Sequence, residues 1–433
     1  MSNIETLYKH YLQHRTICTD TRNITQDCLF FALKGEHFDA NTFAAQALEK
    51  GAAFCIIDNE SYKTDQRCLL FDDVLSTLQD LARHHRNQLH IPVIGLTGSN
   101  GKTTTKELIN AVLAEKYKTF ATKGNLNNHI GVPLSILAID ESVEIAVIEM
   151  GANHQKEIEF LCGLCRPDHG LITNVGMAHL DGFGGFEGVK KGKAELYAYL
   201  KQHAGHTFLN RDNAFLMEMS ARAQLDNITY YGTHQSDRVS GKLLTSDPFI
   251  EISWTLAGQS YAAKANLTGA YNFENILAAI CIGQFFGLVP EQINKGLAGY
   301  FPSNNRSQLT KTEHNTVICD FYNANPSSMT AALNNISGLS SAHKVAIIGD
   351  MFELGPESLQ QHDLIAAKAA ASGLDLVIFI GKDFYQYKDK YKGLFFHTPQ
   401  QTREFLLENP VKNSLVLLKG SRGMALEQLM PLL

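Results

Sequence analysis

Ile91-Pro-Val-Ile-Gly-Leu-Thr-Gly-Ser-Asn-Gly-Lys-Thr-Thr-Thr105 changes character twice along its length. Ile91 to Leu96 is apolar and β-branched, which predicts a buried strand. Thr97 to Gly101 is a run of small residues, and Lys106-Glu-Leu-Ile-Asn-Ala-Val-Leu113 has a helical pattern. A strand, a glycine loop and a helix in that order make a phosphate cradle. Gly98 and Gly101 let backbone N–H groups turn inward, and the helix N-terminus adds partial positive charge. Lys102 reaches the outer phosphates, and the Thr103 hydroxyl stands where a phosphate-bound Mg2+ needs an oxygen. The usual motif has four residues between its glycines, whereas Gly95 and Gly101 are separated by five. The working core is therefore Gly98-Ser99-Asn100-Gly101-Lys102-Thr103, followed by Thr104.

Outward from this segment the chain reads as α/β. At 433 residues it is too long for one core, and two or three domains are expected. Residues 1–90 form a first small α/β unit with short strands at Cys28–Leu33, Phe54–Ile57 and Leu69–Phe71. Pro92 marks the junction, because the residue before a proline avoids the helical region. Residues 91–302 alternate strands (Val143–Ile148, Gly170–Val175, Thr207–Asn210) with helices, which predicts a largely parallel sheet with sites at the strands' carboxyl ends. Residues 228–268 change period and predict antiparallel strands, followed by a helix over Asn272–Phe286. Residues 303–433 repeat the pattern at Val317–Asp320, Lys344–Gly349, Leu376–Gly381 and Ser414–Gly420, predicting a Rossmann-like third domain.

The bulk numbers exclude several classes. Hydrophobic content of 44% with 19% charged residues describes a soluble globular protein. No apolar run approaches the roughly 20 residues that span a bilayer, and Met1-Ser-Asn-Ile-Glu5 lacks a signal-peptide pattern. A net charge of −6 argues against nucleic-acid binding. The eight cysteines form no disulfide framework. Cys162-Gly-Leu-Cys165 is a single CxxC inside a helical pattern, so buried small hydrophobes are expected rather than zinc or redox chemistry. A cytoplasmic monomer is expected.

Three further segments could carry chemistry. Val147-Ile-Glu-Met-Gly151 ends an apolar strand in Glu149, where a carboxylate beside a phosphate loop would hold Mg2+. His179 lies just past the next strand, and Asp181-Gly-Phe-Gly-Gly185 predicts a flexible loop. Lys190-Lys-Gly-Lys193-Ala-Glu195 begins a helix, and nothing in its pattern ranks Lys193 above Lys190 or Lys191.

The ordered set Gly98-Ser-Asn-Gly-Lys-Thr-Thr104, Glu149-Met-Gly-Ala-Asn153, Ala178-His179 and Gly192-Lys-Ala-Glu195 resembles the Mur ligases, ATP-dependent amide-forming enzymes of peptidoglycan synthesis. The resemblance runs from Asp20 to Glu427. It implies that Lys193 is carbamoylated by CO2, becoming an anionic oxygen ligand for a second Mg2+. His179 would share that metal, with Thr103 and Glu149 serving the ATP-side metal, so that Lys102, Glu149, His179 and Lys193 carry the chemistry.

Thr122-Lys-Gly-Asn125-Leu-Asn127-Asn128-His-Ile-Gly-Val-Pro133 narrows the resemblance. So do Asp320-Phe-Tyr322-Asn323-Ala-Asn325-Pro326-Ser-Ser328-Met, Gly349-Asp-Met-Phe-Glu-Leu-Gly355 and Lys419-Gly-Ser-Arg422-Gly423. All resemble the branch that joins D-alanyl-D-alanine to UDP-N-acetylmuramoyl-tripeptide, and those two molecules with ATP are the implied partners. Thr21 and Arg22 match uridine-diphosphate contacts. Asn272, Asn275, Arg306 and Asp320 match nucleotide contacts. Tyr322, Asn323, Asn325, Ser328, Lys419 and Arg422 are expected around the nucleotide or the dipeptide carboxylate. Two departures stand out. Asp39-Ala-Asn41 replaces the usual Asp-Gly-His, and Tyr271-Asn272 replaces His-Asn, leaving Tyr271 to stack on adenine. The alternatives are a sibling ligase adding diaminopimelate or lysine, whose Asp-Asn-Pro-Arg motif is absent, and a regulatory P-loop GTPase, whose guanine-reading motif is absent.

Overall fold

In the computed structural model, which describes residues 3–433, the opening segment folds as strand Val93–Thr97, a loop, and helix Lys102–Leu113. The chain divides into two compact units, one of Met1–Leu96, Tyr117–Ala152 and Glu157–His169, the other of Thr97–Lys116, Asn153–Lys156 and Gly170–Leu433.

The first unit opens with a parallel sheet ordered Ile17–Cys18, Leu29–Phe31, Phe54–Ile57, Cys68–Leu70, with Leu29 opposite both Ile17 and Phe54. Its core includes Phe30, Cys55 and Ile57, all fully buried. Helix Val74–Gln88 follows, started by the Asp73 carboxylate, which accepts the Ser76 N–H at 2.7 Å. A second parallel set runs Val93–Thr97, Ile145–Glu149, Thr119–Ala121. Every residue of the first two strands is buried, as expected of parallel strands covered on both faces. Helices Gly131–Leu137 and Glu157–Cys165 pack on helix Val74–Gln88. Buried Arg86 ties this group together, donating to the carbonyls of Cys165 (2.8 Å), Leu89 (3.0 Å) and Arg166 (2.9 Å) and to Asp168 Oδ2 (3.0 Å). Cys162 and Cys165 lie in this core against Met150 Sδ at 3.8 and 3.7 Å, as small apolar groups. All eight cysteines are buried and none forms a disulfide.

In the second unit, strands His169–Ile172, His206–Asn210, Ile228–Gly232, Val239–Thr245, Ile250–Leu256 and Gln259–Ala265 follow one another in space as in sequence. The last three form the expected antiparallel meander. Ile228–Gly232 departs from expectation: it runs parallel to its predecessor, with Thr207 opposite Ile228. The reason is the crossover helix Ala214–Arg222, which returns the chain to the same edge before the next strand begins. Helices Phe273–Phe285 and Pro290–Gly299 pack on helix Lys102–Leu113.

A six-stranded sheet completes the unit, ordered Gln308–Lys311, Thr316–Asp320, Leu415–Lys419, Lys344–Gly349, Leu376–Ile380, Leu394–Phe396. All its strands are parallel except the first. The two edge strands and Thr119–Ala121 escape a sequence reading because they are only three or four residues long and half-buried. Among the described residues, no helix is long and apolar enough to cross a membrane.

Candidate active site

The phosphate loop is built by contacts that only small residues permit. Gly98 has φ +149°, and a Cβ there would sit 2.0 Å from Thr173 Oγ1. That hydroxyl donates to the Asn100 carbonyl at 2.6 Å, and Asn174 brackets Asn100, Nδ2 donating to its O and Oδ1 accepting its N–H, each at 3.0 Å. Ser99 Oγ exchanges hydrogen bonds with the Gly176 main chain at 3.1 and 2.9 Å. Gly101, at φ +76°, is the left-handed residue from which helix Lys102–Leu113 starts, and a Cβ there would meet Asn275 Oδ1 at 2.8 Å. The loop is thus held in one shape, with the helix-start N–H groups beyond Gly101 left to bind an anion.

Lys102 folds over this loop, donating to the carbonyls of Gly98 (2.8 Å) and Ser99 (3.2 Å). Thr103 and Thr104 are buried, and Thr103 Oγ1 has no partner among the described residues.

Asn272 and Asn275 form a buried chain behind the loop. Thr105 Oγ1 donates to Asn275 Oδ1 (3.0 Å), Asn275 Nδ2 to Asn272 Oδ1 (2.8 Å), and Asn272 Nδ2 to the Thr268 carbonyl (2.9 Å). Both carboxamides therefore brace the phosphate loop. Tyr271 pairs its hydroxyl with Ser307 Oγ at 2.8 Å, and burial pushes that phenol well above its ordinary range.

Another segment of the same unit reaches the loop. Asn325 Nδ2 donates to Asn100 Oδ1 at 2.8 Å, and Met177 N donates to Ser327 Oγ at 3.2 Å. Asn325 and Ser328 are also reciprocal caps of helix Pro326–Gly338, at 2.9 and 3.1 Å. Asp320 and Lys419, expected near the nucleotide and the dipeptide, are spent on each other: Lys419 is 2% exposed and donates to Asp320 Oδ2 at 2.7 Å. Asp320 Oδ1 also accepts the Ser307 N–H at 3.2 Å. Arg306 lies 3.8 Å from the Tyr322 ring centroid and Arg422 5.9 Å, making a cationic patch around one aromatic face. Asn323 is exposed, its Oδ1 accepting the Ala324 N–H at 2.9 Å.

His179 follows strand His169–Ile172 in a left-handed conformation, φ +53°, and its Nδ1 is paired with Glu353. That pairing holds the Glu353 carboxyl below its usual range. The turn after it is a short helix, Leu180–Phe183, ended by Gly184 at φ +74°, rather than a loop. Helix Phe186–Gln202 then separates the three lysines that sequence left equal. Lys193 is 1% exposed, with Nζ 5.1 Å from the Phe183 ring centroid. Lys190 pairs with Glu187 at 2.8 Å, and Lys191 is exposed.

In the first unit, Glu149 is 1% exposed, and Asn127 Nδ2 donates to its Oε1 at 2.8 Å. Its Oε2 is buried with no partner among the described residues. Asn127 also takes the Gly151 N–H on its carbonyl at 2.7 Å, so this loop residue positions the carboxylate. Asn128 Oδ1 accepts the N–H groups of Ile130 and Gly131 at 3.1 and 2.8 Å, while Asn125 is exposed. Arg22 is exposed and forks onto Asp20 at 2.7–3.1 Å, which holds the Asp20 carboxyl down at about 2. Thr21 lies beside it, partly exposed. Asn41, where the family pattern has histidine, is fully buried, donating to Asp39 Oδ1 (2.7 Å) and Asp58 Oδ1 (2.8 Å).

Residues 96–283 match the Mur ligase middle domain, and residues 305–422 match the Mur ligase, glutamate ligase domain. The chain belongs to the Mur ligase family. It is 35% identical over 425 residues to UDP-N-acetylmuramoyl-tripeptide–D-alanyl-D-alanine ligase of Bacillus subtilis, covering 95% of this chain and 92% of that one. A crystal structure of MurF from Acinetobacter baumannii matches with a TM-score of 0.86 at 31% identity, covering 96% and 92% of the two chains. MurF ligase from Thermotoga maritima in complex with ADP matches with a TM-score of 0.85 at 26% identity, covering 100% and 98%.

Sequence reasoning passed over Thr173, Asn174, Ser327 and Glu353. Asn174 carried a signal, a carboxamide closing an apolar strand. The other three are recognisable only from what they touch.

Proposed function

We propose that this chain is an ATP-dependent, amide-forming ligase that joins D-alanyl-D-alanine to UDP-N-acetylmuramoyl-tripeptide for peptidoglycan synthesis. The observation that carries the reading is a phosphate loop held in one compact unit with the Asn325–Ser328 turn, in a chain covering 95% of itself with a relative of that activity. A carboxylate is a poor electrophile, so the γ-phosphoryl group is first moved onto it, giving an acyl phosphate. The dipeptide amine then attacks, and phosphate leaves. Lys102 and the N–H groups at the start of helix Lys102–Leu113 offset the charge that gathers in the first step.

Thr103 and Glu149 each keep a buried oxygen without a partner among the described residues, the kind of donor a hard cation takes. Mg2+ held by such oxygens would supply charge neutralisation on the phosphates. His179 and Lys193 are the second ligand set. Lys193 would act as its carbamate, because an ammonium offers no lone pair, and its burial beside exposed Lys191 favours it over its neighbours. Division of labour follows the chain: residues 1–90 for the UDP substrate through Thr21, Arg22 and, from the next segment, Asn125; 91–302 for ATP; 303–433 for the dipeptide, with half-buried Arg306 and Tyr322 and exposed Asn323 and Arg422 as its polar residues. Eight cysteines outside any disulfide accord with a reducing cytoplasm.

ADP release measured with ATP, tripeptide substrate and candidate amines tests the reading. It should require both substrates and favour D-alanyl-D-alanine. A larger kcat/KM for diaminopimelate or lysine with a dipeptide acceptor would move the chain to the sibling activity. Lys193→Ala should abolish turnover and regain part of it with a short carboxylic acid, whereas Lys190→Ala and Lys191→Ala should not lose it. Full activity in Lys193→Ala would reject the carbamate.

A further inference from the structure

The segment Gly349-Asp-Met-Phe-Glu-Leu-Gly355 follows strand Lys344–Gly349. Its base is clamped. His362 Nε2 accepts the Met351 N–H at 3.0 Å while Nδ1 donates to the Ser358 carbonyl at 2.7 Å. The Asp350 carboxylate accepts the N–H groups of Asp383 and Phe384, each at 3.0 Å. Asp350, His362 and Asp383 lie close enough together to suggest a metal site, but the histidine has both nitrogens committed and Asp350 has both oxygens engaged.

From this base the loop runs to the turn that carries His179. Glu353 Oε2 is in ion-pair contact with His179 Nδ1, a ring nitrogen sealed from solvent whose hydrogen bond to that oxygen is not aligned in this structure. The Glu353 carbonyl accepts the Asp181 N–H at 3.5 Å, a long contact. Gly355, at φ +55°, lies so close to Asp181 that a Cβ would sit 2.7 Å from Oδ1. Both paired residues are non-glycines in the left-handed region, His179 at φ +53° and Glu353 at φ +62°. Such backbones persist where the surroundings over-determine them, and they gather at functional sites.

We propose that Glu353 is the positioning residue for His179. Its carboxylate accepts the Nδ1–H, locks the ring in one tautomer, and leaves Nε2 with the lone pair a divalent cation requires. A histidine ligand ordinarily donates its second N–H to a carboxylate or carbonyl, and removing that partner costs about 10- to 100-fold in metal affinity. The inference rests on reading His179 as a ligand, and the experiment separates the two.

Mn2+ binding in the presence of ADP is measured by electron paramagnetic resonance for the parent, His179→Gln, Glu353→Ala and Glu353→Leu. In parallel, the ring nitrogens of metal-free 15N-histidine-labelled protein are observed by NMR, with the His179 signals identified by their loss in His179→Gln. The parent should show Nδ1 protonated and Nε2 bare. Both Glu353 variants should lose that preference and bind the weaker Mn2+ about tenfold less tightly. Glu353→Leu keeps the bulk if the alanine variant folds poorly. Weakened Mn2+ binding in His179→Gln with unchanged binding or an unchanged tautomer in the Glu353 variants overturns the positioning role. Unchanged binding in His179→Gln removes the ligand reading itself, and the inference with it.

Discussion

Removing the Asn275 carboxamide should cost both stability and nucleotide affinity. In Asn275→Ala two hydrogen bonds vanish, from Thr105 Oγ1 at 3.0 Å and to Asn272 Oδ1 at 2.8 Å. Thr105 is fully buried and Asn272 is 1% exposed, so neither abandoned group reaches water. A buried group left unpaired costs about 1–3 kcal/mol. The Thr105 hydroxyl can turn to a carbonyl of its own helix, placing it near the lower bound, whereas Asn272 Oδ1 has no comparable freedom. The sum is about 3 kcal/mol, or a fall of roughly 6–12 °C in the transition of the second unit.

The same carboxamide packs on Gly101, its Oδ1 2.8 Å from where a Cβ would be, so its loss also loosens the phosphate loop. ADP affinity, measured by isothermal titration, should fall about tenfold, equivalent to about 1.4 kcal/mol. Thr105→Val alone should be milder, and the double variant should cost less than the sum, because both changes break one contact. An Asn275→Ala variant with parental melting and parental ADP affinity would refute the brace. A lower melting temperature with unchanged ADP affinity would confine it to stability.

Arg86→Ala should lose about 3 kcal/mol against urea, because it strands the carbonyls of Cys165, Leu89 and Arg166 in the first unit. Arg86→Lys should recover little, since one ammonium cannot span the same fork. The alkaline limb of stability should be steep. Burial pushes the thiols of Cys55, Cys165 and Cys281 up to about 12. Each raised acid contributes fully below its unfolded value near 9 and loses that contribution as pH climbs towards 12, about 1.4 kcal/mol per unit per group. Urea unfolding at pH 8, 9.5 and 10.5 should show the decline, and Cys165→Ala should flatten it by one group. Equal slopes in the two proteins would contradict the assignment.

What this sequence determined by itself is local. A β-branched run, two glycines with positive φ and a helical pattern place the phosphate loop within a few residues, because each rests on neighbours in the chain. The same holds for the meander over residues 239–265 and for the CxxC buried among apolar groups. Motif resemblance added which side chains to watch, not what they touch.

Tertiary structure decided the rest. Lys193 stands apart from Lys190 and Lys191 by its burial, a property of the whole helix against its surroundings. Asp320 and Lys419 meet across 99 residues because adjacent parallel strands place Asp320 beside Lys419. Ile228–Gly232 is parallel because of where a crossover helix delivers it, not because of its own residues. Likewise Asn275 against Gly101, Asn325 against Asn100 and Glu353 against His179 are pairings between distant segments. Hydrogen bonds act over about 3 Å, and no pattern along a single chain shows which remote groups folding will bring within that reach.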